Sequence, residues 1–190
     1  MRKLILAAAL TGLSFAAFAA ETYTIDPDHT FPHFTINHLG FSTMHGRFNT
    51  TKGKIVLDKT GNTSSVDIII DAASVDTGMK KRDDHLRSPD FLNAAEFPEI
   101  TYKSSKVTFN GAKKATVDGT LTLAGVSKPV KLDVQSINCG IHPMDPKKEK
   151  FVCGFDATAK IKRSDFGVKF ALPAVGDEMV IMLEVEGTRN

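Results

Sequence analysis

The chain has 190 residues, which points to one domain or at most two. Its 42% hydrophobic and 24% charged residues are too apolar for a disordered chain. A formal charge of +2 is too small a bias to point to nucleic-acid or anionic-membrane binding.

The first residues read as an export signal. Arg2 and Lys3 form a basic start, Leu4 to Leu13 an apolar stretch, and Ala17-Phe18-Ala19 a small-residue cleavage site. The apolar run is short for a membrane span. Cleavage after Ala19 divides the chain into a signal peptide, 1–19, and one mature domain, 20–190, and removes two cations, which takes the net charge to zero. The expected fate is export.

Cys139 and Cys153 are the two cysteines. In an exported chain an even count points to a disulfide. The bridge would close a loop of about 15 residues, worth roughly 3 kcal/mol by the chain-entropy model. The enclosed stretch, with Pro143, Pro146 and Lys147-Lys148-Glu149-Lys150, reads as a solvated tip between two strands.

Most of the mature chain alternates apolar and polar residues, the period-2 signature of half-buried strands. Val66, Ile68 and Ile70 share one face. Val117, Gly119, Leu121 and Leu123 share another, as do Val130, Leu132 and Val134. Phe155, Ala157, Ala159 and Ile161 follow, then Met179, Ile181, Leu183 and Val185. With the less regular runs Thr22 to His38, Arg47 to Leu57 and Ile100 to Phe109, these make eight strands. Thr60-Gly61-Asn62, Asn110-Gly111 and Ala124-Gly125 supply turns, and short links mean antiparallel neighbours. The pattern predicts an all-β fold, either an up-and-down barrel or a sandwich.

One link is expected to be long. Ser74 to Ala95 is predicted to carry a short helix over Met79 to Arg87 capped by Thr77, then a turn started by Ser88-Pro89. Its apolar residues Met79, Leu86, Phe91 and Leu92 are too few for a domain, so it is expected to cover a barrel end or pack on the flank.

An eight-stranded barrel is filled by its own side chains or holds one small ligand. Alternation by itself favours the packed core. The small inward residues Gly119, Ala157 and Ala159 leave room that large neighbours or a guest must fill. No nucleophile elbow, phosphate loop, dinucleotide fingerprint or zinc-protease motif is present. His29, His33, His38, His45 and His85 lack the carboxylate or cysteine spacing of a metal site, and none is assigned. His38 shares parity with Phe34 and Ile36, so it points inward. Arg82-Asp83-Asp84-His85-Leu86-Arg87 and Arg163-Ser164-Asp165 read as solvated charged segments.

Several stretches together resemble the YceI-like family of bacterial secreted polyisoprenoid-binding proteins. They are Tyr23-Thr24-Ile25-Asp26, Phe34 to Gly40, Gly46-Arg47-Phe48, Ser74-Val75-Asp76-Thr77, Arg82 to Leu92, Phe97-Pro98-Glu99-Ile100, Gly119 to Val126 and Arg163 to Gly167. They span the mature chain, and the His85-Leu86-Arg87-Ser88-Pro89-Asp90-Phe91-Leu92 stretch is the most specific. The resemblance implies a lipocalin-like eight-stranded antiparallel barrel with a helical insertion. It also implies an isoprenoid or other amphiphilic chain bound within, and no catalytic residues. True lipocalins carry a first-strand Trp, which this chain lacks, so the likeness is to their architecture.

Combined with strand parity, the expected apolar lining is Phe34, Ile36, Phe48, Ile68, Ile70, Tyr102, Leu121, Leu123, Leu132, Phe155, Ala157, Ala159, Ile181 and Leu183. His38, His85, Leu86, Arg87 and Phe91 are expected at the head group or in a lid. The expected role is periplasmic binding, sequestration or transport of a quinone or polyprenyl lipid, without a cofactor, with transient contact to membranes or membrane proteins. The rival readings are a redox accessory protein or enzyme acting on a bound quinone, and a packed barrel acting through its surface.

Overall fold

The computed structural model describes residues 20–59 and 63–190; the signal segment and the Thr60-Gly61-Asn62 turn lie outside them. The described strands are β1 (Glu21–Ile25), β2 (Phe31–His38), β3 (Ser42–Phe48), β4 (Thr51–Leu57), β5 (Ser65–Asp71), β6 (Val75–Asp76), β7 (Glu99–Phe109), β8 (Ala115–Leu123), β9 (Val126–Ile141), β10 (Phe151–Lys162) and β11 (Val175–Arg189). One helix, α1 (Lys80–Arg87), stands among them.

These segments form a closed eight-stranded antiparallel barrel. β1 and β2 are two halves of one barrel strand, and both pair with β11: Thr24 faces Thr188 and His33 faces Met182. β3 and β4 form the second strand, and β5 and β6 the third. The pairing of β1 with β11 closes the ring. Consecutive strands are neighbours throughout, as short links require.

The three broken strands break side by side. Between β1 and β2 lies a single turn, Pro27–His29, where the Asp26 carboxylate accepts from Asp28 N at 3.1 Å. Asn49 and Thr50 separate β3 from β4, and Ala72–Ser74 separates β5 from β6. The breaks are tied together, since Thr50 N donates to Ser74 Oγ and Asn49 N to Ser74 O, each at 3.1 Å. Asp71 N also donates to Thr50 O, at 3.0 Å.

Two hairpins need a left-handed backbone at both central residues, Leu39-Gly40 (φ 57° and 75°) and Ala124-Gly125 (φ 48° and 76°). The first corrects a boundary. The second barrel strand begins at Ser42, not Arg47, because Ser42 to Gly46 pairs with β2 although it carries no apolar alternation.

The barrel ends differ. At one, Cys139 and Cys153 face each other across β9 and β10 and are joined by a disulfide, with Cα atoms 4.1 Å apart. Tyr23, Ile25, Leu57, Ile137 and the fully buried Cys153 belong to the core cluster at this end. The tip beyond is organised by Asp145, which accepts from the backbone N–H of Lys147, Glu149 and Lys150.

At the other end β5 and β7 part company after Asp71 and Glu99, and α1 with the turns to Pro98 fills the gap. A second long link, Arg163 to Ala174, also lies here, where a single one was expected. It opens with a short turn, Arg163–Phe166, which reads as an ordinary strand end by sequence.

Candidate functional site

The barrel is not packed solid. A cavity of about 450 Å³ runs through it, from Leu57, Phe109 and Ile137 near the disulfide end to Leu86, Phe91 and Phe170 at the helix end. Alternation puts Phe34 and Ile36 from β2, Phe48 from β3, Ile68 and Ile70 from β5, and Tyr102 from β7 on its wall. Leu121 and Leu123 from β8, Leu132 from β9, Phe155, Ala157 and Ala159 from β10, and Ile181 and Leu183 from β11 complete the inward faces already read from parity.

Gly119 does not contribute space as its size suggested. A Cβ there would sit 2.5 Å from the Tyr102 ring and hydroxyl, so Tyr102 already occupies that volume. The Tyr102 hydroxyl lies 3.1 Å from Val117 O and 3.0 Å from Val130 O, and burial pushes its pKa up. Its polar end is thus satisfied by backbone and the ring presents an apolar wall.

Polar residues on the wall gather toward the helix end: His38, Thr77, Arg82, His85 and Arg163. Deeper, at the level of the strand breaks, are Thr30 and Thr51. Thr30 exchanges hydrogen bonds with Glu186, whereas Thr51 Oγ1 is buried with no hydrogen-bond partner among the described residues. His33 Nε2 lies 3.3 Å from Glu184 Oε2 but out of line for a hydrogen bond.

The charged run Arg82 to Arg87 holds α1 in place. Thr77 was expected to cap the helix; instead its N–H and hydroxyl both donate to the buried Asp83 carboxylate. Arg82 donates back to Thr77 Oγ1 and Thr77 O, each at 2.7 Å. Arg87 is off the cavity wall. Its guanidinium donates to Ala73 O at 2.6 Å and Val75 O at 2.9 Å and pairs with Asp84, so the structure places it on the backbone beside α1 and not at the head-group position expected for it. Leu86 does reach the cavity.

The cover is completed by three rings meeting edge to face. His85 lies 5.0 Å from Phe91 and 5.2 Å from Phe170, and the two Phe rings are 5.3 Å apart. His85 Nε2 is 2.9 Å from Asp90 Oδ2, which orients the imidazole. Phe170 comes from the second long link, which sequence reasoning passed over.

That link is held by Arg163. The side chain is 2% exposed, and it donates to four backbone oxygens, those of Val168, Phe170, Val175 and Gly176. Burial weakens its hold on the proton, with Asp177 opposing. Arginine nevertheless stays charged. Asp177 accepts from Ser164 N and Oγ, and these two bonds keep its carboxyl below the usual range. The signal for this knot was present as Arg163-Ser164-Asp165, but the acid that matters, Asp177, lies a loop away.

The family model of the YceI-like domain matches residues 23–187, most of the chain. The chain belongs to the YceI-like family. A UPF0312 protein of Pseudomonas aeruginosa is 39% identical over the full length of both chains, and Protein YceI of Escherichia coli is 38% identical over the same extent. Among solved structures, a YceI protein of Campylobacter jejuni superposes with a TM-score of 0.68 at 28% identity, covering 100% of this chain and 99% of that one. BcnA of Burkholderia cenocepacia gives a TM-score of 0.75 at 24% identity, over 85% of this chain and 98% of its own. A polyisoprenoid-binding domain from Saccharophagus degradans gives 0.63 at 18% identity, over 88% and 98%. The last two show the shared barrel. The stretch that resembles the YceI-like family most specifically, Arg82 to Leu92, is here the latch and cover of the cavity.

Proposed function

We propose that the chain is a binding protein that takes an isoprenoid-type lipid, such as a quinone or polyprenyl compound, into the barrel and sequesters or carries it in the periplasm. The observation that carries this reading is the cavity itself: long, walled by aliphatic and aromatic side chains, with its polar groups gathered mainly at the covered end. An amphiphile matches that distribution. Each methylene taken from water contributes about 0.8 kcal/mol. The head group needs hydrogen-bond partners, since leaving it unpaired costs roughly 1–3 kcal/mol, and His38, His85 and Arg82 stand where it would rest. The relative from Saccharophagus degradans described as a polyisoprenoid-binding domain supports the same ligand class. The leader-like first residues support export.

Native mass spectrometry of protein purified from its own host, followed by organic extraction, tests this. A retained lipid of isoprenoid mass is the expected result. A chain that carries no lipid and takes up no added isoprenoid overturns the reading. Turnover of an added quinone, lost on changing one polar wall residue, would favour an enzyme instead.

A further inference from the structure

We propose that the helix end of the barrel docks on a bilayer surface containing anionic phospholipid, with the cavity mouth facing the membrane. This rests on the lipid-binding reading above and names the partner that its cavity must meet.

Large apolar side chains are exposed at few places among the described residues, and four of them share this end: Leu39, Phe41, Met79 and Phe170. Phe41 is 89% exposed, on the tight turn between β2 and β3. Leu39 is tied to the second long link by its N–H, which donates to Ala174 O. Met79 is the N-cap of α1 and follows β6 after Thr77 and Gly78, and β3, the partner of β6, begins beside Phe41. Phe170 completes the ring cluster over the cavity. The four residues therefore ring one opening instead of being scattered, and clustered exposed apolar surface marks an interaction site.

Two observations choose a bilayer as the occupant. First, the surface is continuous with the cavity. Phe170 and His85 are the wall residues open to solvent, and both stand at this end, so an apolar guest that leaves here enters whatever covers the rim. Second, although the whole chain carries a formal charge of only +2, exposed cations gather locally beside the apolar residues: Lys81 stands two residues past Met79 and Lys169 precedes Phe170, while Lys80, the first residue of α1, is paired with Asp84 at 2.6 Å. Apolar side chains that dip below headgroups while adjacent lysines meet lipid phosphates are the ordinary chemistry of interfacial binding.

The test is co-sedimentation of the mature chain with vesicles of phosphatidylethanolamine and phosphatidylglycerol, beside uptake of a fluorescent isoprenoid measured twice, from those vesicles and from dilute ethanol. The variant is Leu39→Asn with Phe41→Ser; asparagine tolerates the left-handed backbone at position 39, and neither residue lines the cavity. Met144→Ser removes an equally bare side chain, 83% exposed, on the disulfide tip. The expected result is a severalfold loss of vesicle binding and of uptake from vesicles in the double variant, unchanged uptake from ethanol, and no loss with Met144→Ser. Vesicle binding that survives the double variant, or that Met144→Ser weakens as much, overturns the proposal. So does a wild-type chain that ignores vesicles but dimerises through Leu39 and Phe41, which would assign the rim to a second copy. Failure of uptake from ethanol in the wild type would count against the lipid-binding reading, while vesicle binding would still report on the rim.

Discussion

The Tyr102 ring rests against the bare Cα of Gly119 one strand away, and its hydroxyl bridges to carbonyls of β8 and β9. The pair fixes the wall at the centre of the barrel. A methyl on Gly119 would meet not only the ring but Lys103 O at 2.7 Å, and backbone cannot swing away as a side chain does. Gly119→Ala is therefore expected to cost roughly 1–3 kcal/mol, the usual range for overpacking. The urea midpoint reads this directly. A midpoint equal to wild type would mean that Tyr102 is free to move.

The disulfide joins an exposed Cys139 to a fully buried Cys153 at the end of the barrel away from the cover. Replacing both with Ser is expected to lower stability by roughly 2–5 kcal/mol. Ligand affinity should be nearly unchanged, because neither residue lines the cavity. Thiol labelling of the denatured, unreduced chain should find no free cysteine. Labelling of both would show that the bridge does not form.

The strands were legible because each carries its own period. Ile181 and Leu183 alternate with Glu184, and the same parity that names strand β11 names its cavity face. The β2–β3 hairpin was half hidden: Ser42 to Gly46 has no alternation, since this stretch lies at the rim and Gly46 is kept bare by the Phe34 ring, 2.3 Å from where a Cβ would sit. The cover was legible in part. Leu86 and Phe91 stood out as apolar residues in a polar insert, whereas Phe170 sits in a loop with no period at all. Arg87 could not be separated from Arg82 by sequence. Which of two neighbouring arginines faces a cavity depends on which carbonyls the folded backbone offers them.

Ala157 and Ala159 stand on β10 opposite Leu183 and Ile181 of β11, each of the four on the cavity wall. Ala157→Phe or Ala159→Phe adds a ring to a strand that tolerates aromatics and fills space a guest would use. The expected outcome is loss of isoprenoid binding by at least tenfold, with the strand signal in circular dichroism intact. Titration with a fluorescent isoprenoid measures it. Wild-type affinity in both variants would place the guest elsewhere.

Asp177 is expected to give the cover a pH dependence. The Ser164 hydroxyl and N–H hold its carboxyl below the ordinary aspartate range. A group whose folded pKa is depressed contributes stability above its unfolded pKa and loses it as pH falls through the folded value. Stability should thus decline below about pH 4, where unfolded Asp begins to bind protons. Asp177→Asn should flatten that decline while lowering stability at neutral pH, since an amide cannot accept both bonds with a charge. Urea midpoints taken at about pH 3 and pH 7 for the two proteins decide it; parallel declines would remove Asp177 from the account.

The last prediction concerns what the cover does to a bound lipid. Leu86 and Phe91 meet the cavity from one side and Phe170 from the other, and the His85 ring joins them. α1 does not depend on those apolar contacts to stay in place, because Asp83, Arg82 and Arg87 fasten it through Thr77, Ala73 and Val75. Leu86→Ala with Phe91→Ala should therefore leave the latch closed and thin the cover above the guest. Release must pass that cover, and related complexes differ mostly in their off-rates. An increase in release on the order of tenfold is expected, equivalent to about 1.4 kcal/mol, with a smaller change in uptake. Stopped-flow transfer of a fluorescent isoprenoid to acceptor vesicles measures both. If release is unchanged in a fully folded variant, Leu86 and Phe91 serve only to seat the insert on the barrel, and the guest leaves by another path.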